Sequence, residues 1–276
     1  MKKLLALAIA GVMAMSMVAC GSTEETKEEV KTEETKEETA TEETETETET
    51  EETETEELEA LVMATNAEFP PYEFREGDEI VGIDVEIAKA ICAEMGRELV
   101  IEDMAFDSII AAINSGKADL GLAGMTVTED RLKNVDFSTP YTQAMQSIIT
   151  LEGSEIVDVA GLDNKKIGVQ LGTTGDIYCD DVEGATIERY SKGFEAVQAL
   201  LQGKIDAVVI DNEPAKVFVQ ENEGLVIVEE AFAVEDYAIA IDKGNTELLE
   251  DINAVIAELQ ESGKLDEIKA KYIKAE

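Results

Sequence analysis

FDSIIAAINSGKAD, at Phe106 to Asp119, returns in altered spelling as FEAVQALLQGKID, at Phe194 to Asp206. Both segments space apolar residues at helical intervals, stop at a Gly-Lys pair (Gly116-Lys117 and Gly203-Lys204), and run on into ADLGLA or IDAVVI. The pattern predicts an amphipathic helix, a glycine C-cap and a strand covered on both faces. Aligning the Gly-Lys pairs offsets the two copies by 87 residues, which carries Gly124, just past the first strand, onto Asp211 at the end of the second. The 216 residues from Leu61 to Glu276 are enough for two α/β lobes, each burying a core. In open α/β sheets, ligands bind at the carboxyl ends of the strands, where this offset puts Gly124 and Asp211.

The chain ahead of these lobes is of a different kind. Lys2 and Lys3 precede an apolar run from Leu4 to about Val18, which reads as an export signal too short to span a bilayer. Residues 21–57 are almost wholly Glu, Thr and Lys, without an aromatic side chain to start a core, and read as a disordered tether. From Gly21 to Ala60 there are 19 Glu and 3 Lys, so like-charge repulsion should extend the segment. A flexible coil of that length spans on the order of 35 Å. The lobes themselves carry 44 acidic and 17 basic residues, a net charge of −27. Such a balance argues against nucleic acid and anionic lipid headgroups as partners, and disfavours a strongly anionic ligand at long range.

Candidate chemistry concentrates in Gly121 to Tyr141, GLAGMTVTEDRLKNVDFSTPY. A buried strand ends near Gly124, and Thr126 or Thr128 is placed to cap a helix whose first turn holds Glu129, Asp130 and Arg131. A guanidinium fork beside free backbone amides and a threonine hydroxyl suits a small organic carboxylate. The alternative is a capping box, Thr126-x-x-Glu129, with Arg131 solvated. A second candidate cradle lies at Ile167 to Asp176, IGVQLGTTGD, where Gly172 and Gly175 free the backbone and Thr173 and Thr174 offer hydroxyls. It lacks the Walker lysine and the full dinucleotide fingerprint, so no phosphate cofactor is assigned to it. Asp211 has its own structural alternative, as N-cap of the helix containing Pro214.

Together with VMATNAEFPPYEF from Val62, GIDVEIAKAI from Gly82 and ELQESGKLDEIKAKYI from Glu258, the Gly121 to Tyr141 stretch resembles the solute-binding proteins that deliver amino acids to bacterial ABC importers, extracellular family 3. The resemblance implies a type II periplasmic-binding fold: two α/β lobes joined by a two-segment hinge, with the ligand in the cleft between them. It divides the chain into residues 58–142 plus 236–276 as the first lobe and 143–235 as the second. It also implies that Arg131 and Thr126 hold the ligand carboxylate and that Asp211 receives the ammonium, with Thr174 and the Gly124 backbone assisting. Phe69 and Phe106 would flank the ligand's stem, and Asn66, Glu68 and Gln170 would meet its side chain. With Asn66 where relatives for basic amino acids often carry aspartate, a polar uncharged side chain ranks first, a basic one second and an acidic one last. Met17-Val18-Ala19-Cys20 looks like a lipoprotein processing box, making Cys20 the membrane anchor, with Met17 departing from the usual leucine.

The implied partners are an amino acid and the permease subunits of an importer, with no cofactor and no metal, and the protein is expected to act as a monomer. A sensor or scavenger ectodomain is the runner-up, and a cyclohexadienyl dehydratase-like enzyme a more distant one. The chain has no histidine, which removes the His general base, the Ser-His-Asp set and His-ligated metals. Cys20, Cys92 and Cys179 are too scattered for a zinc site, and Cys92 and Cys179 are expected to be separate free thiols.

Overall fold

The computed structural model describes residues 59–273, which fall within one compact unit. The export signal, the tether and Cys20 lie outside the described residues.

Strand β1 (Leu61–Thr65) is almost wholly buried, as its run LVMAT requires of a strand with a parallel neighbour on each side. A small antiparallel ribbon follows, β2 (Glu68–Phe69), β3 (Glu73–Glu76) and β4 (Glu79–Val81), and leads into helix α1 (Ile83–Met95). Gly82, at the helix entrance, has φ 134°, and a Cβ there would lie 2.0 Å from the Tyr72 carbonyl oxygen, so only glycine fits. The chain returns as β5 (Leu99–Asp103), then α2 (Ile109–Asn114), β6 (Leu120–Gly121) and β7 (Val135–Phe137).

A long strand, β8 (Thr142–Leu151), enters the second sheet. After it come β9 (Lys166–Gln170), α3 (Thr174–Cys179), β10 (Thr186–Tyr190), α4 (Gly193–Leu201), β11 (Ala207–Asp211), α5 (Asn212–Glu221) and β12 (Leu225–Ile227). Strand β13 (Ala233–Tyr237) crosses back to β14 (Ala240–Asp242), and α6 (Thr246–Glu261) and α7 (Lys264–Tyr272) finish the first lobe. The crossing strands β8 and β13 pair antiparallel from Thr142↔Tyr237 to Gln146↔Ala233 and form the two-segment hinge.

The half-repeat of the sequence is a repeat of topology. The first sheet runs β5-β1-β6-β14-β7 and the second β10-β9-β11-β8-β12, so each sets three parallel strands in the order second, first, third beside an antiparallel fourth. The expected strand ADLGLA is shorter than its apolarity suggests, with only Leu120 and Gly121 in β6. Leu122 still donates to the Ala64 carbonyl, but at Gly124 the backbone turns left-handed (φ 53°) and gives its amide to Asp84, which ends the pairing.

Cys92 packs beside Ile87, Ala88 and Ile91 in the first lobe, and Cys179 packs with Ile167 and Val169 in the second. Both are free thiols, and burial pushes the Cys179 thiol up to about 12.

Candidate functional site

The ends of β6, β9 and β11 meet at a narrow, tightly closed cleft. From the first lobe the lining includes Asn66, Phe69, Glu73, Phe106, Gly124, Thr126 and Arg131. From the second lobe and the crossing strands come Gln146, Gln170, Thr173, Thr174, Asp211 and Tyr237.

Arg131 opens a single turn of 3-10 helix, Arg131–Lys133, rather than the first turn of an α-helix. Its amide donates to the Thr128 hydroxyl at 3.2 Å, so Thr128 rather than Thr126 braces the entry to this turn. Thr126, freed from the predicted capping box, donates its hydroxyl to Glu235 Oε2 at 3.0 Å and sits 3.5 Å from the Thr174 hydroxyl. The Arg131 guanidinium is buried, not solvated. Nη1 donates to the Thr126 carbonyl at 2.7 Å, Nη2 reaches the Gly172 carbonyl of the other lobe at 3.0 Å, and Cζ lies 5.3 Å from the centre of the Phe106 ring. Burial lowers the guanidinium's affinity for its proton, and the Glu235 charge opposes that shift.

Asp211 is both N-cap and cleft residue. Oδ1 accepts from the Glu213 amide at 3.0 Å, starting α5, and Oδ2 accepts from the Tyr237 hydroxyl at 2.8 Å. Burial pushes its carboxyl up to about 7, against the pull of those two donors. Such a carboxylate gains most from a cation that reaches it in the cleft.

The GTTG turn behaves differently from a free anion cradle. Thr173 caps α3 by accepting from the Asp176 amide at 3.3 Å, and the Gly172 amide donates to Asp176 Oδ2 at 2.9 Å. The turn's own aspartate therefore occupies an amide that an anion would need, and the turn contributes the Thr174 hydroxyl and the Gly172 carbonyl instead.

Several contacts run directly from lobe to lobe. Gln170 Nε2 donates to Asn66 Oδ1 at 2.8 Å, and Lys192 forms an ion pair with Glu68 at the rim.

Residues 61–275 match the bacterial extracellular solute-binding proteins, family 3. The arginine-binding extracellular protein ArtP of Bacillus subtilis is 31% identical over 281 residues, covering 100% of both chains. An ancestral arginine-binding protein bound to arginine superposes with a TM-score of 0.74 at 41% identity, covering 78% of this chain and 98% of that one. Holo ArgBP from T. maritima gives a TM-score of 0.71 at 41% identity, covering 73% and 90%. The chain belongs to the extracellular solute-binding proteins of family 3. Its fold is that of the type II periplasmic-binding proteins.

In this solute-binding protein nine of the ten sequence candidates line the cleft: Asn66, Phe69, Phe106, Gly124, Thr126, Arg131, Gln170, Thr174 and Asp211. Glu68 does not, because it turns to Lys192 at the rim. Tyr72 lies behind the wall, 5.9 Å from the Phe69 ring centre and 5.3 Å from that of Tyr237. Sequence reasoning missed Glu73, Gln146 and Tyr237, and it missed Glu235, which backs the cleft and accepts from Thr126 and Gln146. Glu235 and Tyr237 lie two apart on β13, so both face one side of that strand, a period-2 signal that the boundary assigned at 235–236 divided.

Proposed function

We propose that the protein captures a polar α-amino acid outside the membrane and presents it to the permease of an ABC importer. The observation that carries this reading is that a buried guanidinium from one lobe, Arg131, and a buried carboxylate from the other, Asp211, line a single cavity. Two groups of opposite charge on separate lobes match the carboxylate and ammonium of one amino acid, and both grips form only when the lobes are closed. A bound carboxylate competes with Glu235 for the Thr126 hydroxyl proton, while Phe69 and Phe106 flank the stem. Asn66 and Gln170, already hydrogen-bonded to each other, face the side chain together. An arginine-binding relative that covers the whole chain supports the amino-acid class.

In this reading residues 58–142 plus 236–276 move against 143–235 about β8 and β13. Cys20 carries the lipid, and the acidic tether holds the lobes clear of the membrane. The protein works as a monomer and catalyses nothing, being a binder whose product is its own closed form. A thermal-shift screen of the twenty amino acids, with ornithine and cystine added, tests it: stabilisation by at least one of them is expected. No shift with any of them, confirmed by calorimetry, would remove the amino-acid assignment.

A further inference from the structure

Glu235 sets a buried acid directly behind the hydroxyl assigned to a bound carboxylate. It lies on the crossing strand β13, 5% exposed, and its Oε2 accepts from Thr126 Oγ1 and from Gln146 Nε2, each at 3.0 Å. Tyr178 of α3 is bound to it as well: burial, the Glu235 charge and a hydrogen bond to Glu235 hold the Tyr178 phenol above its ordinary value. A hydroxyl has one proton and a carboxylate only accepts, so the direction of this chain of bonds is fixed. Thr126 gives its proton to Glu235, and the Thr174 hydroxyl, 3.5 Å from that of Thr126, can bond to it only as the donor. What Thr126 has left is lone pairs, which a carboxylate cannot use. The charge acts in the same direction. Among neighbouring charges Glu235 is foremost at Arg131 and the last of those acting on Asp211. Part of the field that Arg131 would offer a carboxylate is therefore already answered.

We infer that Glu235 is an affinity-setting residue: by holding the Thr126 proton and placing a negative charge near Arg131, it weakens the grip on the ligand's carboxylate and quickens release. It works through Thr126 and Arg131, as a positioning residue and not as a ligand contact. This role rests on the amino-acid reading above and goes beyond it. A protein that hands its ligand to a permease needs a site that can let go, and Glu235 loosens the carboxylate end from one of the two strands about which the lobes move. Arriving carboxylate must draw the Thr126 proton away from a buried acid, whereas the Thr174 proton, spent on a longer bond to a neutral oxygen, is the easier one to win. The ligand's side chain plays no part in this competition, so the effect should be common to every amino acid that the protein binds.

Calorimetry and stopped-flow release on the full chain test this role, with L-arginine and L-glutamine as the first probes and the other standard amino acids after them. Glu235→Gln keeps the shape and an acceptor for Gln146, but it turns a donor toward Thr126 and frees that hydroxyl's proton for the ligand. Affinity should rise about 5- to 30-fold for each amino acid that binds, chiefly through slower release. With Thr126→Val already in place, the same change should gain about threefold or less. If Glu235→Gln does not fold, Glu235→Asp draws the carboxylate back from the hydroxyl and should gain about two- to fivefold. Unchanged or weaker binding by the variant overturns the role of Glu235 and leaves the amino-acid reading intact, because a residue that only braces the hinge would let affinity stay or fall. An undiminished gain in the Thr126→Val background overturns the route through Thr126, and a gain confined to one of several bound amino acids overturns the assignment to the carboxylate end. If no amino acid binds the wild-type chain, the broader reading falls and this one with it.

Discussion

The ends of β6 and β11 occupy equivalent places in two sheets of the same topology and do opposite chemistry. Past β6 the chain turns at Gly124, whose amide goes inward to Asp84, and seven residues later it brings in a guanidinium. At the end of β11 the chain stops on Asp211, a carboxylate that caps the next helix and faces the cleft. The strand order carries each lobe's strand ends to the cleft, and the residue at each end is free to vary. A duplicated architecture thus yields a site of two unlike halves, which is what an amino acid with two unlike groups requires.

Removing the cationic half should do most to break this comparison. Arg131→Ala is expected to weaken amino-acid binding by about 2 to 4 kcal/mol, tens-fold to roughly a thousand-fold, because a bound carboxylate would be left buried without its partner. Calorimetry giving unchanged affinity would remove Arg131 from the site.

The anionic half should respond to pH as well as to mutation. Asp211→Asn is expected to weaken binding by about tenfold or more. The wild-type carboxyl, held at about 7 by burial, binds more protons in the fold than in the unfolded chain between its ordinary value and pH 7. The empty protein therefore loses stability as pH rises through that window, and the Asn variant should lose less. Ligand affinity has the opposite sign: an ammonium needs the ionised carboxylate, so binding should weaken as pH falls below about 7, with protons released on binding. Affinity independent of pH between 5 and 8 would contradict the pairing.

Two glycines separate stability from closure. Gly124→Ala would set a Cβ 3.0 Å from both the Phe69 and Tyr237 rings at φ 53°. It should cost about 1 to 2 kcal/mol of stability in the empty protein, read as a lowered Tm. Gly172 also has positive φ, but a Cβ there would lie 3.0 Å from Asp107 Cβ on the opposite lobe. Gly172→Ala should therefore weaken binding severalfold beyond what its own loss of stability explains. Equal effects of the two substitutions on affinity and Tm would mean that closure is not what the second one touches.

The smallest effect is expected at the rim. Lys192→Met removes the cross-lobe ion pair with Glu68, both partners being solvent-accessible. It should change affinity by less than about 1 kcal/mol, and by less still at high salt. A larger change would bring Glu68 back into the site.

Much of this was legible because it is local. Helix, glycine stop and apolar strand are written twice, and the repeat led to Asp211 without any side-chain contact being known. The capping-box alternative fails for a reason that is not local. Thr126 has the spacing for Glu129, but a buried carboxylate more than a hundred residues away, Glu235, takes its hydroxyl. Glu73 escaped notice because a glutamate after two prolines reads as a solvated turn, and nothing in PPYEF reveals that α1 and the cleft wall close over it.

The sequence by itself determined the two α/β lobes, the matching of the Gly124 and Asp211 strand ends and the acidic field, because periodicity, glycine stops and charge are properties of short segments and sums. The tertiary structure alone decided which hydroxyls and amides are already engaged, that Glu68 belongs to the rim, and that Glu73 is fully buried against Asp84. Those facts depend on which distant residues fill the space around each polar atom, and burial sets the energy of a charge.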